Sequence, residues 1–118
     1  MQTFRDMKVY QSSYELALQV YHLTEKFSGH QQYELARQLR RAATGIPLNV
    51  AEGFGRKSSQ TDFANFVRMA TGSANEVLVL MDLCRDLGYV SDEDHERMVG
   101  CYLSLVKQLW TLMHTLKR

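Results

Sequence analysis

The chain has little of what most metal and redox sites require. Its 118 residues include two cysteines and four histidines, with no Cys-x-x-Cys pair and no Cys/His cluster. Zinc sites and disulfide frameworks need such clusters, so we interpret Cys84 and Cys101 as reduced thiols in apolar surroundings. The sequence therefore predicts no disulfide, no metal and no cofactor.

Long apolar runs and an excess of one charge are also missing. The longest apolar run, Val77 to Met81, is far shorter than the roughly 20 residues of a membrane helix. The first residues lack the apolar core of a signal peptide. We therefore expect a cytoplasmic protein without a membrane partner. Since the formal net charge is only +1, attraction to a polyanion would have to come from a local basic patch.

No catalytic arrangement is recognisable. No two histidines are four residues apart, as a pair on one helix face would be, and the chain has none of the Glu-x-x-His pairs that line di-iron sites in helical bundles. The Gly53-x-Gly55 pair follows a helical pattern rather than a strand, so it is not a phosphate-binding fingerprint. We name no catalytic residue and expect a protein that is not an enzyme.

What the chain does contain is four amphipathic segments with apolar residues three and four positions apart. In the third segment these are Phe63, Val67, Ala70, Ala74 and Val77, a spacing typical of tightly packed helices. The patterns predict helices over about 9–27, 31–54, 60–87 and 92–116. Short links make each helix antiparallel to the last. We predict one all-α domain over 1–118, an antiparallel up-down-up-down four-helix bundle.

Glycine, serine and the single proline mark the helix ends and one interruption. Gly29 and Gly88 are expected to cap the first and third helices in the left-handed conformation, and Ser59 to cap the start of the third. Pro47 lies inside the second helix and removes one backbone donor. A kinked but continuous helix is the favoured interpretation, because the apolar pattern keeps its phase; a break at Thr44 to Ile46 is the alternative.

A polar stripe follows the second helix beside its apolar seam, with Arg41, Asn49 and Glu52 on it. Antiparallel pairing about the link near Lys57 places Arg41 beside Ser73 and Glu76 of the third helix. We therefore predict a contact between the charged groups of Arg41 and Glu76. The alternative is that both side chains face water. Glu52 is expected to pair with Arg56, one turn later.

Five cations cluster on or just after the second helix, with Glu52 the single acid between the first and the last of them. They are Arg37, Arg40, Arg41, Arg56 and Lys57. Such a patch favours binding to RNA or DNA phosphates. The alternatives are a solvated helix face, and a protein–protein adaptor or structural ring. The second of these is favoured by aromatic residues that lie off the apolar seams: Tyr10, Tyr14, Tyr21, Phe54 and Phe66.

Several short motifs are spread along the chain. The most specific is the run from Ile46 through Asn49, Ala51, Glu52 and Gly53 to Arg56. The others are Gln38-Leu39-Arg40-Arg41-Ala42, Phe63-Ala64-Asn65-Phe66, Ala70-Thr71-Gly72-Ser73-Ala74-Asn75-Glu76, Leu87-Gly88-Tyr89, and Phe4 with Val9-Tyr10-Gln11. Together these motifs resemble a known bacterial family, the four-helix proteins first met as products of intervening sequences in 23S ribosomal RNA genes. The resemblance covers nearly the whole chain.

The resemblance implies a left-handed bundle that assembles into a ring-shaped homopentamer. It also implies kinship with accessory proteins of diversity-generating retroelements, which bind a reverse transcriptase and nucleic acid. This chain lacks the strongly basic balance of those accessory proteins. From the resemblance and the local basic patch together, we expect the protein to self-associate and to bind RNA or DNA, or a protein partner.

Overall fold

The computed structural model describes residues 2–116, and within that range it contains four long helices and no strand. A short 3₁₀ turn over Phe4–Asp6 precedes α1 (Lys8–Thr24), α2 (His30–Gly55), α3 (Gln60–Asp86) and α4 (Asp92–Leu116). Each helix packs against the next, α4 also packs against α1, and the pairs α1/α3 and α2/α4 lie on the diagonals. The result is an elongated four-helix bundle of 45 × 20 × 19 Å. The predicted all-α fold is confirmed.

The apolar seams of the four helices meet along the bundle axis. Leu39, Ala74 and Leu105, one from each of three helices, are almost completely buried. Alanines on the facing sides of α2 and α3, such as Ala43 and Ala70, are buried as well. Small side chains at these positions let the two helices lie close together along much of their length.

Helix α1 ends earlier than its sequence pattern predicted. The pattern indicated a helix to residue 27, but α1 stops at Thr24, and Phe27 turns back to pack its ring edge-on against Tyr89, with centroids 6.1 Å apart. Gly29 does adopt a positive φ of 85°. It lies, however, immediately before α2 as its N-cap rather than at the end of α1.

Helix α2 continues through Pro47 without a break, from His30 to Gly55. Because proline has no N–H, the carbonyl of Ala43 loses its usual helical donor. Side chains on either side donate to nearby carbonyls: the Thr44 hydroxyl to Arg40 at 2.8 Å, and the Asn49 amide to Gly45 at 2.8 Å. The favoured interpretation was a kinked but continuous helix, and its continuity is confirmed; the kink stays a prediction.

The predicted caps of α3 are present. The Ser59 hydroxyl accepts a hydrogen bond from the backbone N–H of Asp62 at 3.2 Å. At the other end Gly88 has a φ of 80°, and the N–H of Tyr89 donates to the carbonyl of Cys84 at 2.8 Å. These bonds satisfy backbone groups that a helix end otherwise leaves without partners.

Two glycines of α2 lie directly against side chains of α3. A Cβ atom on Gly53 would lie 2.9 Å from the ring of Phe63 and 3.0 Å from Cβ of Phe66. A Cβ atom on Gly45 would lie 3.1 Å from Oγ of Ser73. The two helices therefore run antiparallel in nearly the register that the link predicted. Gly53 has no side chain, which allows α3 to lie this close to α2.

Candidate nucleic-acid interface

Three of the five predicted cations come together at the junction of α1 and α2. Arg37, Arg40 and Arg41 line a surface depression of about 280 Å³ with Tyr21 and Tyr33. We call this depression the arginine pocket; Ala36 and Thr44 complete its lining. It holds no carboxylate, so its lining carries charge of one sign.

Arg40 is fixed in place by contacts with α1. Its Nε donates to the hydroxyl of Thr24 at 2.8 Å, and a terminal nitrogen donates to the carbonyl of Tyr21 at 3.3 Å. Its guanidinium also lies over the Tyr21 ring, 4.6 Å from the centroid. Since the C-terminal end of a helix carries partial negative charge, this cation stabilises the last turn of α1 as well as shaping the pocket.

Arg37 is held less firmly, by an ion pair within its own helix. Its guanidinium lies 2.7 Å from a carboxylate oxygen of Glu34, and both side chains are substantially exposed. The hydrogen bond from Arg37 holds the pKa of the Glu34 carboxyl below its usual value, and the same bond raises the pKa of Arg37. An exposed pair of this kind is worth little in water, so Arg37 can exchange this partner for another anion.

The predicted contact between Arg41 and Glu76 is not formed. Both residues line a second depression of about 740 Å³ between α2 and α3, together with Ser73. Nevertheless, the ion pairs within 4.0 Å that involve residues 2–116 do not include this pair. Both side chains are exposed, and water solvates such charges well enough that pairing them gains little. The helix register places both residues at the same depression, as predicted, but their charged groups face water and do not contact each other.

Arg56 and Lys57 lie at the far end of α2, about 22 Å from Arg41 at the usual helical rise. Arg56 pairs with Glu52 at 3.0 Å, as predicted, and its guanidinium lies 5.1 Å from the centre of the Phe66 ring. The amine of Lys57 lies 4.1 Å from the centre of the Phe54 ring. The five cations thus divide into the arginine pocket and a separate pair that lies on aromatic rings.

The most specific sequence motif has a structural role in this geometry. Asn49 bonds its own helix beside Pro47, Glu52 pairs with Arg56, and Gly53 admits Phe63. Ser73 lies against Gly45 across the same interface. The motif therefore shapes the α2–α3 contact.

Sequence reasoning missed two residues on this surface. Tyr33 is 63% exposed and lines the arginine pocket, and Leu48 is 67% exposed beside the second depression. Their spacing carried the signal: Tyr33, Arg37 and Arg41 follow one another at four-residue intervals, so they share one face of a helix. A helical wheel drawn for charge and aromatic character together would have found Tyr33.

Two further features are absent from the described part of the chain. Within it, no group of three or more His, Cys, Asp and Glu side chains is placed to hold a metal ion. Nor is any of its helices long and apolar enough to cross a membrane. His95 belongs to α4, and its ring lies against α3, where its two nitrogens contact Asp82 at 2.7 Å and Arg85 at 3.4 Å. Both nitrogens are thus already engaged by neighbouring side chains.

These features define a class, the antiparallel four-helix bundles. Residues 5–111 match the model of one such family, the 23S rRNA-intervening sequence proteins. The chain belongs to that family.

One solved structure has the same fold at low sequence identity. It is a protein of unknown function from the S23 ribosomal protein family of Bacteroides thetaiotaomicron, 24% identical to this chain. The match covers 89% of this chain and 97% of the other, with a TM-score of 0.81. No match was found among curated proteins. The similarity between the two proteins is one of fold.

Proposed function

We propose that this protein is a non-enzymatic, self-associating module of the cytoplasm that binds RNA or DNA through the outer surface of α2. The observation that carries the proposal is the arginine pocket, which is lined by three arginines and by no acidic residue. Guanidinium groups bind phosphate oxygens in a planar, bidentate manner. A cluster of three provides a local positive field that the nearly neutral net charge of the chain conceals.

Self-association is supported by apolar side chains that lie exposed on two sides of the bundle. One group, which we call the α3–α4 surface, consists of Met69, Val79, Leu83, Leu87, Leu103 and Trp110. The other, the α1 surface, consists of Tyr14 and Leu18. Since α1 and α3 are diagonal in the bundle, the two surfaces face different ways. Contact between unlike surfaces gives a head-to-tail assembly, which closes into a ring when the rotation permits.

A ring would strengthen weak binding of each subunit to nucleic acid. Each copy presents one arginine pocket, and linking several pockets on one scaffold raises the effective concentration of the second and later contacts. Five copies is the number that the family resemblance implies. The protein would then bind phosphates firmly with few cations per chain and little preference for sequence.

The binding proposal is tested by fluorescence anisotropy with a labelled RNA hairpin and a labelled DNA duplex of equal length. Wild-type protein is compared with Arg41→Gln and with Lys107→Gln, which removes an exposed cation from α4 on the opposite diagonal. We expect affinity to fall steeply as salt rises from about 50 to 200 mM, because cations that neutralise phosphates release counterions. Arg41→Gln should weaken binding and flatten the salt slope, whereas Lys107→Gln should leave both unchanged.

Absence of binding to either nucleic acid at the lower salt concentration would refute the proposal. Equal losses in the two variants would place the contact elsewhere on the surface. If nucleic acid is not bound but the assembly is intact, the second candidate function, a protein–protein adaptor or structural ring, takes its place. The exposed apolar side chains of α3 and α4 favour that alternative, because exposed apolar residues are the ones available for contacts with other proteins.

A further inference from the structure

We infer that the arginine pocket receives an unpaired nucleotide, whose base stacks on Tyr33 and whose phosphate lies between Arg37 and Arg41. The inference rests on the proposed function and narrows it, because a cationic helix alone would bind paired and unpaired strands alike. What distinguishes this pocket is the presence of aromatic rings among the cations. Single-stranded nucleic acids are recognised by this combination, with bases on aromatic faces and phosphates on basic groups.

Tyr33 has the position of a stacking platform. Its side chain is 63% exposed at the start of α2. The ring–ring and cation–ring contacts of residues 2–116 do not include Tyr33. The other tyrosine of the pocket, Tyr21, has its ring covered by the guanidinium of Arg40. Tyr33 is therefore the ring of this pocket that is open to a base.

Arg40 and Tyr21 make a preformed wall beside that ring. Two nitrogens of Arg40 are used by Thr24 and by the Tyr21 carbonyl, which fixes the guanidinium before any ligand arrives. A guanidinium has five N–H donors in all, so donors remain for a phosphate. A side chain ordered in advance loses less entropy on binding than a free one.

Arg37 and Arg41 supply the adjustable cations. They follow Tyr33 at one and two turns along the same face of α2, with about 6 Å between successive positions. Arg37 is held only by its exposed ion pair with Glu34, which a phosphate can replace. Arg41 forms no ion pair with any of residues 2–116.

A duplex fits this arrangement less well than a single strand or a loop. The bases of a duplex are stacked on one another, so their faces are not accessible to an amino-acid ring, and an exposed tyrosine gains nothing from them. A duplex would be held by phosphate contacts alone. The contribution of Tyr33 is therefore the measurable difference between the two modes.

The test uses full-length wild type, Tyr33→Ala, Tyr33→Phe and Arg41→Gln. Each is titrated against a labelled oligouridine of about ten nucleotides, which spans one single-strand site, and against a blunt RNA duplex of equal length. Circular dichroism melts show whether each variant is folded. We expect Tyr33→Ala to lose about tenfold in affinity for the oligouridine, as is usual for one stacked base. Its affinity for the duplex should not change, and Tyr33→Phe, which keeps the ring, should bind both as wild type does.

The outcomes separate this inference from the proposed function. If Tyr33→Ala binds the oligouridine as tightly as wild type while Arg41→Gln weakens both ligands, nucleic-acid binding stands and the stacked nucleotide does not. If wild type prefers the duplex, the inference is likewise overturned. If wild type binds neither ligand at low salt, both proposals are wrong.

Discussion

A single hydrogen atom in place of a side chain sets the distance between α2 and α3 at Gly53. The ideal Cβ position there is 2.9 Å from the Phe63 ring and 3.3 Å from the Phe63 carbonyl. A flexible side chain could yield to such contact, but the backbone carbonyl of a packed helix cannot do so cheaply. Gly53 is thus a packing residue, although glycine within a helix is ordinarily unfavourable.

We predict that Gly53→Ala lowers the free energy of unfolding by about 1–3 kcal/mol, the usual cost of overpacking a core. The matched control is Gly100→Ala in α4, where a Cβ atom would meet nothing within 4 Å. That change should raise stability by roughly 0.5–1 kcal/mol, because alanine favours the helix. Urea unfolding followed by circular dichroism measures both. A neutral Gly53→Ala would show that the helices can separate freely.

Tyr102 presents the opposite case, a polar atom that the core does not need. The residue is fully buried, and its hydroxyl has no hydrogen-bond partner among residues 2–116. Burial also raises the pKa of this phenol. Removing an unsatisfied buried hydroxyl relieves a desolvation cost of about 1–3 kcal/mol.

Tyr102→Phe should therefore be at least as stable as wild type in thermal or urea unfolding, with a gain of about 1 kcal/mol. Tyr102→Ala, which removes the ring as well, should lose about 3–5 kcal/mol through the cavity it leaves. A clear loss of stability in Tyr102→Phe would contradict the geometry, since it would mean that the hydroxyl is bonded in solution.

The two cysteines should differ in reactivity. Cys84 is buried, as predicted, whereas Cys101 is exposed, so its interpretation as a thiol in apolar surroundings was wrong. Burial raises the pKa of the Cys84 thiol to about 11. Near pH 8 we expect a thiol reagent to modify one group per native chain and two after denaturation, with the native reaction lost in Cys101→Ser.

The raised pKa of Cys84 also predicts how stability depends on pH. The unfolded thiol ionises near its ordinary pKa of 9.0, before the folded one does. Stability is therefore complete below about pH 9 and declines as the pH approaches 11. Urea midpoints measured across this range should fall, and the fall should be smaller in Cys84→Ala. A flat profile would contradict the prediction.

At the scale of whole elements, Arg40 joins the end of α1 to the middle of α2. It provides two hydrogen bonds and a cation–ring contact across sixteen or more residues of sequence. Thr24, its main partner, is buried and uses its own hydroxyl proton within α1. Arg40 thus binds the last turn of α1, at the point where that helix ends.

Arg40→Met should cost about 1–3 kcal/mol, the range for lost hydrogen bonds to a charged group. The control is Arg37→Met, which removes a cation from the same helix but breaks only an exposed pair. It should change stability by less than about 1 kcal/mol. Hydrogen exchange of the last α1 amides would show whether the loss is local. Equal effects of the two changes would mean that Arg40 does not hold α1.

At the scale of the whole molecule, two unlike apolar surfaces allow a complementation experiment. Leu83→Glu alters the α3–α4 surface, and Leu18→Glu alters the α1 surface. If assembly is head-to-tail, either change alone should leave monomers, because each new charge would have to be desolvated at the contact. Native mass spectrometry of wild type should show a closed oligomer.

A mixture of the two variants gives a sharper result. Each keeps the surface that the other has lost, so one contact can form between them and no further growth follows. We expect heterodimers in the mixture and monomers in the separate samples. If one of the two variants forms dimers by itself, the contact joins like surfaces, as in a two-fold dimer. If wild type is monomeric at micromolar concentration, the proposal that the protein self-associates is wrong.

The sequence by itself determined the four helices, most of their ends, the antiparallel order and the family. Those properties depend on local and periodic features, such as apolar spacing in α3, a serine at a helix start and a glycine at a helix end. Each can be evaluated within a few turns of one helix. The Glu52–Arg56 pair was predictable for the same reason, because its partners lie one turn apart.

Only the tertiary structure decided which partners the long side chains take. Arg40 reaches Thr24 on another helix, Arg41 does not pair with Glu76, and Phe27 lies beyond the end of α1 and packs against Tyr89. Flexible charged side chains choose among several nearby groups by small differences in solvation and geometry, and sequence spacing does not contain those differences. The joining of Tyr33 with three arginines in one pocket likewise depends on how α1 lies against α2, a packing arrangement that neither helix specifies alone.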